Sequence, residues 1–262
     1  MAKYCQENMG ECCGVVLAGG WGTRLMPLTT SMNKHLLPVY DEPMIFKSLA
    51  SLQRMGIRDV MIVLGGHSGN SFFHLLGDGH RFGMSLTYSY QEKAGGIAEA
   101  LSLTKDFVNG RTVAVILGDN VFQDSMSNFL DQFKKDSCEC YLFLKEVQNP
   151  SEFGIAWLDE EGGIINLKEK PENSDSNLAV TGLYFYSSRV FEVIEKSIEE
   201  NGYSERGELE ITDINKTFME MGLAKGVSIE THWADCGTIE ALLETSNLMK
   251  EWDLGNWLKT EE

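Results

Sequence analysis

The residues best able to do chemistry stand in one short run, Gly19-Gly20-Trp21-Gly22-Thr23-Arg24, directly behind the apolar stretch 14–18. This order predicts a buried strand that feeds a glycine-rich loop. Gly19, Gly20 and Gly22 open backbone angles closed to other residues and let a ligand come close. Successive free N–H groups in such a loop form a nest for phosphate oxygens, and Arg24 adds a forked cation. Two familiar phosphate loops are excluded. No G-x-x-x-x-G-K-[ST] occurs, and Gly20-x-Gly22 continues to Leu25 where the dinucleotide fingerprint needs a third glycine. Without Arg24 and the polar residues further along the chain, the glycines describe a tight strand-to-helix turn equally well.

Other polar residues stand at the ends of apolar stretches. Lys34 lies in the segment 31–43, where Pro38 and Pro43 exclude a regular helix; an extended, fixed arm presenting Lys34 is expected. Gln91 ends a strand expected over 86–90 and precedes the flexible Ala94-Gly95-Gly96. Asp119 follows the unbroken apolar run 113–117 in a Gly-Asp-Asn turn. A carboxylate there suits Mg²⁺, which takes one or two carboxylates plus phosphate oxygens; an Asx turn has the same sequence. Asp235 offers a second carboxylate within a turn expected over 234–238. Glu169-Lys170-Pro171 closes a strand with an acid and a base, and Arg206-Gly207-Glu208 opens a helix carrying Thr212 and Asp213. The five histidines show no metal spacing and receive no catalytic role.

The elements that must position these groups alternate. Strands are expected over 14–18, 60–64, 86–90 and 113–117, and helices over 44–55, 70–76, 97–107 and through Phe129 and Phe133. That alternation predicts a doubly wound α/β sheet with right-handed crossovers. Such sheets bind ligands at the carboxyl ends of their strands, where the glycine loop, Gln91 and Asp119 all fall. From Cys140 the texture becomes more antiparallel, with strands over 141–147, 154–158, 164–169 and 179–186. Helices over 190–199 and 211–221, a strand over 227–231 and a helix over 238–252 complete the chain. No linker separates the halves 14–139 and 140–262, so one domain over 1–262 is expected, with 1–13 a loose leader.

Composition narrows the partners. A hydrophobic share of 43% supports a real core. With 39 acidic against 22 basic residues the net charge is −17, which argues against nucleic acid or an anionic membrane as partner. Each cation near the glycine loop then weighs more. The six cysteines form no C-x-x-C pair, so reduced thiols are expected. Residues 1–13 lack the apolar core of a signal peptide and no run is long enough to span a membrane, so a cytoplasmic protein is expected.

Seven motifs occur in order: Leu17-Ala-Gly-Gly-x-Gly-Thr-Arg-Leu25, Lys34-x-Leu-Leu-Pro38, Gly118-Asp119-Asn120, Glu169-Lys170-Pro171, Val180-Thr-Gly-Leu-Tyr-Phe-Tyr186, Arg206-Gly-Glu-Leu-Glu-Ile-Thr-Asp213 and Trp233-x-Asp235-x-Gly-Thr238. Together, from about residue 14 to 249, they closely resemble the glucose-1-phosphate thymidylyltransferases, or dTDP-glucose pyrophosphorylases. The first motif is shared by sugar-nucleotide pyrophosphorylases generally; the run 206–213 is far more specific.

The resemblance implies a Rossmann-like three-layer α/β nucleotidyltransferase fold with a mixed, mainly parallel central sheet. It implies Mg²⁺-dependent transfer of a thymidylyl group from dTTP to glucose 1-phosphate, by in-line attack on the α-phosphorus, giving dTDP-glucose and pyrophosphate. It also implies a homo-oligomer and a place in the dTDP-rhamnose or another deoxysugar pathway. Leu17, Gly19, Gly20, Gly22, Thr23 and Arg24 would hold the nucleotide, and Lys34 the phosphates across the bond that breaks. Gln91 and the backbone at Gly96 would read the base, the Gln91 amide both donating to a pyrimidine carbonyl and accepting from N3–H. Asp119 and Asp235 would hold Mg²⁺, Gly154, Glu169 and Val180 would line the glucose site, and Lys170 and Arg206 would hold its phosphate.

Four positions depart from the common pattern: His35 for Gln, Phe153 for Tyr, Ala234 for Leu and Cys236 for Thr. They bear on fine specificity. Longer members continue with helices that help build a regulatory nucleotide site, which is not expected here. A uridylyltransferase using UTP, or another sugar-1-phosphate nucleotidyltransferase, is the alternative within the enzyme class. A non-catalytic sugar-nucleotide-binding regulator should have lost a cation or a metal carboxylate, whereas Arg24, Lys34, Asp119, Lys170 and Asp235 are all present.

Overall fold

The apolar runs of the first half form the middle of one sheet in the computed structural model, which describes residues 11–66 and 69–252. Strand β1 (Cys12–Ala18) leads through the glycine loop to a small hairpin, β2 (Pro38–Val39) and β3 (Glu42–Pro43), and then helix α1 (Met44–Arg54). Next come β4 (Asp59–Gly65), α2 (Gly69–Leu76), β5 (Ser85–Gln91), α3 (Ile97–Ser102), α4 (Lys105–Val108) and β6 (Thr112–Leu117). The chain continues with β7 (Asn120–Phe122), α5 (Ser127–Phe133), β8 (Cys140–Glu146), β9 (Gly154–Leu158), β10 (Ile164–Glu169) and β11 (Leu178–Tyr186). It ends with α6 (Val190–Glu200), α7 (Ile211–Glu220), β12 (Ala224–Ser228), β13 (Trp233–Asp235) and α8 (Ile239–Glu251).

The main sheet has nine strands in the order β10-β9-β11-β6-β1-β4-β5, with β8 on β11 and β12 on β8. Strands β5, β4, β1 and β6 are parallel. β11 runs antiparallel to β6 and begins the reversed part, so strands of both halves share the sheet. The sheet is mixed around a parallel centre, as expected.

Alternation along β1 divides the core. Val16 and Ala18 pack with Ile45 and Leu49 of α1, Phe72 of α2 and Leu242 of α8. Cys13, Val15 and Leu17 pack with Leu101 of α3, Ile194 of α6 and Ile214 and Phe218 of α7. With helices over both faces, the central strands read as unbroken apolar runs.

Some boundaries differ from the sequence reading. β1 starts at Cys12, so the last residues of the expected leader lie in the sheet; residues 1–10, with Cys5, fall outside the described residues, as does His67. The helix expected over 97–107 breaks in two where buried Thr104 donates its hydroxyl to the Leu101 carbonyl (2.7 Å). The strand expected over 227–231 lies at Ala224–Ser228, set by its parallel register on β8. The turn expected over 234–238 is half strand: Trp233–Asp235 pairs antiparallel with β7.

Candidate active site

The parallel strands end at one edge, and the glycine loop leaves β1 there. Gly22 sits at φ +66°, a left-handed backbone that suits glycine, and its carbonyl accepts from Thr29 Oγ1 (2.8 Å). The loop is bare partly because Lys34 crosses it. A Cβ at Gly22 would fall 2.8 Å from Lys34 Cβ, and one at Gly20 would fall 3.1 Å from Lys34 Cε. The segment presenting Lys34 is a 3-10 turn, Lys34–Leu36, and not an extended arm. Asn33 caps it: its Oδ1 accepts from the His35 backbone N–H (3.0 Å) and meets His35 Nδ1 (2.7 Å), while its Nδ2 donates to the Ala18 carbonyl (3.4 Å). A cap of this kind satisfies the first free N–H of a helix and fixes its entry.

Lys34 is ion-paired with Asp119, which stands in the turn between β6 and β7. Burial opposes both charges. For Lys34 the nearby Asp119 carboxylate outweighs burial and raises its pKa; for Asp119 the Lys34 charge holds the carboxyl below the usual range. Asn120 fixes the turn, donating from Nδ2 to Asp119 Oδ1 (3.0 Å). Its own Oδ1 accepts from Gly182 N (2.9 Å), in the irregular part of β11, and from Trp233 Nε1 (2.6 Å).

The pairing of β13 with β7 sets Asp235 opposite Asn120, beside Asp119. Among the described residues, Asp235 Oδ1 is buried and meets no hydrogen-bond partner. Burial, then the Asp119 charge, push the Asp235 carboxyl above its usual range. Arg24 leans over the same place: a Cβ at Gly237 would lie 2.7 Å from Arg24 Nη2 and 3.0 Å from Asp235 Oδ1. Its guanidinium is also 3.8 Å from Glu152.

At the other end, Glu169 closes β10. Its carboxylate accepts from Thr212 Oγ1 (2.6 Å), and Lys170 and Arg206 stand 3.5 and 3.6 Å away. Arg206 pairs more closely with Glu210 (2.8 Å). Lys170 takes a left-handed backbone, φ 40°, uncommon for a side-chain residue and found where a site imposes it. Gln91 ends β5 with its Nε2 near the Gly96 carbonyl (3.2 Å) and Glu99 Oε2 (2.9 Å).

One cleft of about 310 Å³ joins the two ends. Of the residues singled out from the sequence, Leu17, Gly19, Gly20, Arg24, Lys34, Gln91, Gly96, Asp119, Gly154, Glu169, Lys170, Val180 and Asp235 line it. Gly22, Thr23 and Arg206 do not; Gly22 shapes the loop from behind, and Arg206 reaches the cleft edge through Glu169 and Glu210. His35, given no role from sequence, also lines the cleft; a Cβ at Gly118 would touch its ring.

Relatives decide the family. The nucleotidyl transferase family matches residues 13–251. The chain belongs to that family. Within it, the glucose-1-phosphate thymidylyltransferase of Neisseria meningitidis is 38% identical over 244 residues, 90% of this chain and 82% of the relative. That of Mycolicibacterium smegmatis is 39% identical over 253 residues, 94% of this chain and 85% of the relative. A Bacillus anthracis structure assigned to the same enzyme, solved in complex with a sucrose, superposes with TM-score 0.88 at 40% identity and covers 95% of this chain and all of its own. A UDP-glucose pyrophosphorylase with bound UDP-glucose, at 24% identity and TM-score 0.79 over 91% of this chain and 98% of its own, shares the fold. In this nucleotidyltransferase the aspartates Asp119 and Asp235 line the cleft together with Lys34 and the glycine-loop residues Gly19 and Gly20.

The donor set fits a small divalent cation. Two carboxylates converge, one held ionised and one with an orphaned oxygen. Among the described residues no group of three or more His, Cys, Asp or Glu could hold a metal by itself. Two converging carboxylates are a donor set of the kind that binds Mg²⁺ together with substrate phosphates.

Proposed function

We propose that this nucleotidyltransferase carries the thymidylyl group of dTTP to glucose 1-phosphate, giving dTDP-glucose and pyrophosphate. The observation that carries it is the buried cluster of Lys34, Asp119 and Asp235 beside a glycine nest, with Lys170 lining the far end of the same cleft and Arg206 at its edge, 3.6 Å from Glu169. The first end suits a triphosphate and the second a sugar phosphate.

A phosphate oxygen of glucose 1-phosphate attacks the α-phosphorus of dTTP. An oxygen–phosphorus bond forms on one side while the bond to the β-phosphate oxygen breaks on the other, and pyrophosphate leaves. The nucleophile is already ionised at neutral pH, so no side chain need remove a proton. The protein's task is to align two repelling anions and to neutralise charge as it develops. Lys34 and Arg24 would face the triphosphate; Lys170 and Arg206 would hold the sugar phosphate. Glu169, fixed by Thr212, would accept from glucose hydroxyls beside Gly154 and Val180. Asp119 and Asp235 would hold Mg²⁺, which supplies charge neutralisation at the phosphates when bound.

The described parts of the halves 14–139 and 140–262 both contribute strands to one sheet, which supports reading them as one domain. Among the described residues no helix is long and apolar enough to cross a membrane. UTP is the second reading for the donor, because Gln91 faces an edge that thymine and uracil share. The test is pyrophosphate release across a grid of nucleoside triphosphates and sugar 1-phosphates. Release highest with dTTP and glucose 1-phosphate is expected; release with another pair alone would overturn the assignment.

A further inference from the structure

Taking nucleotidyl transfer from dTTP as the reaction, we propose that Glu99 is the specificity-positioning residue of the base site: it locks the Gln91 amide so that only its oxygen faces the base. One terminal atom of Gln91 lies 2.9 Å from a Glu99 carboxylate oxygen and 3.2 Å from the Gly96 carbonyl oxygen. Both partners only accept. The atom between them is therefore the amide nitrogen. Its two hydrogens are both spent there. The remaining terminal atom is the oxygen, which lies against Gly19 at the cleft: a Cβ at Gly19 would fall 3.0 Å from Gln91 Oε1.

This corrects the sequence reading, in which Gln91 both donates and accepts. With its donors committed, Gln91 can only accept. It would take the N3–H of thymine or uracil, and the pyrimidine carbonyls must find donors elsewhere. Cytosine presents a bare N3, so acceptor would meet acceptor in a buried place. A site built on one hydrogen-bond polarity rejects the opposite polarity strongly.

The surroundings are shaped for Glu99. A Cβ at Gly95 would overlap the Glu99 carboxylate, so the absence of a side chain there is what admits it. The Gly95 carbonyl is tied to Leu209 N (2.7 Å), and the Leu209 carbonyl accepts from Ala98 N (3.3 Å). Thus the segment just beyond Arg206 also braces the start of α3, on which Glu99 stands.

The test compares kcat/KM for dTTP, UTP and CTP with glucose 1-phosphate in the wild type, Glu99→Ala, Glu99→Gln and Gly95→Ala. The wild type should prefer dTTP over CTP by about 10⁴. In Glu99→Ala the amide is free to turn its nitrogen to cytosine, so kcat/KM for CTP should rise and the ratio fall by about 10- to 100-fold. Gly95→Ala, which displaces the carboxylate without touching it chemically, should move the ratio the same way. Glu99→Gln keeps an acceptor in one of its two orientations and should fall between. A merely structural Glu99 would depress all three nucleotides together, and that result would overturn the proposal. If Glu99→Ala does not fold, Gly95→Ala and Glu99→Gln decide alone. A wild type inactive with every pyrimidine triphosphate would instead overturn the assigned reaction, so the two failures are distinct.

Discussion

The two ends of the cleft are built differently. At the proposed triphosphate end the inner charges are buried: the Lys34 and Asp119 side chains are 14% and 10% exposed, beside the Asn33 cap, Asn120 and the β7–β13 pair, while Arg24 at the rim is 57% exposed. At the sugar-phosphate end the cations are half in water, Lys170 at 46% and Arg206 at 43%. A charge inside a low-dielectric wall acts strongly and cannot be replaced by solvent; a solvated ion pair is weak and screened. The buried end is therefore suited to stabilising the transition state, and the exposed end to capturing and releasing a substrate.

The largest effect should come from the buried end. Asp119→Asn should lower kcat by about 10²–10³, the scale of losing a main electrostatic stabiliser. Steady-state pyrophosphate release measures it, and chelation of divalent cations by EDTA should abolish wild-type turnover until Mg²⁺ is restored. Near-normal kcat in the mutant would erase the contrast between the ends.

A smaller effect is expected at the open end. Arg206→Ala should raise KM for glucose 1-phosphate about tenfold, within the range of a lost hydrogen bond to a charged group. Salt should sharpen the contrast: raising ionic strength shortens the Debye length and should weaken sugar-phosphate binding. Equal salt sensitivity of kcat at saturating substrate would argue against it.

At the buried end pH should act on stability. Burial, then the Lys34 charge, push His35 down to about 3, while an unfolded chain titrates it near 6.5. Between those values the unfolded state binds a proton that the folded state refuses. Stability is therefore lost as pH falls below 6.5, by about 2 kcal/mol at pH 5. His35→Gln should flatten the dependence of Tm on pH between 6.5 and 4; an unchanged slope would mean that other groups set the acid limit.

Legibility in the sequence follows the same division. β1, β4 and β6 were readable because helices cover both faces and, past Asp59 at the start of β4 and Thr112 at the start of β6, their residues are apolar or glycine. The glycine loop, Gln91 and Asp119 were readable as strand-end features, and Lys34 as a residue of the proline-bounded segment 31–43. β13 was not, since three residues before a glycine carry no alternation and its partner β7 is a hundred residues away in sequence. For the same reason the sequence set Asp235 in a turn, while the pairing brings it to Asp119. Asn33 left a signal, an Asn directly before the Lys34 turn, which marks a cap. Asn120 acts through partners distant in sequence, Gly182 and Trp233, while for Glu99 only the Gly95-Gly96 doublet hinted that a side chain needed room there. His35 was set aside for lacking metal spacing, yet it packs in the cleft wall as an uncharged ring.

The contrast is tested most directly by single-turnover pyrophosphate release at saturating glucose 1-phosphate, comparing Lys34→Ala with Arg206→Ala. Lys34→Ala should stay slow by about 10² or more however much sugar phosphate is added, whereas Arg206→Ala should return to within a few-fold of the wild-type rate. An Arg206→Ala enzyme as slow as Lys34→Ala at saturation would contradict the assignment of chemistry to the buried end and capture to the open one.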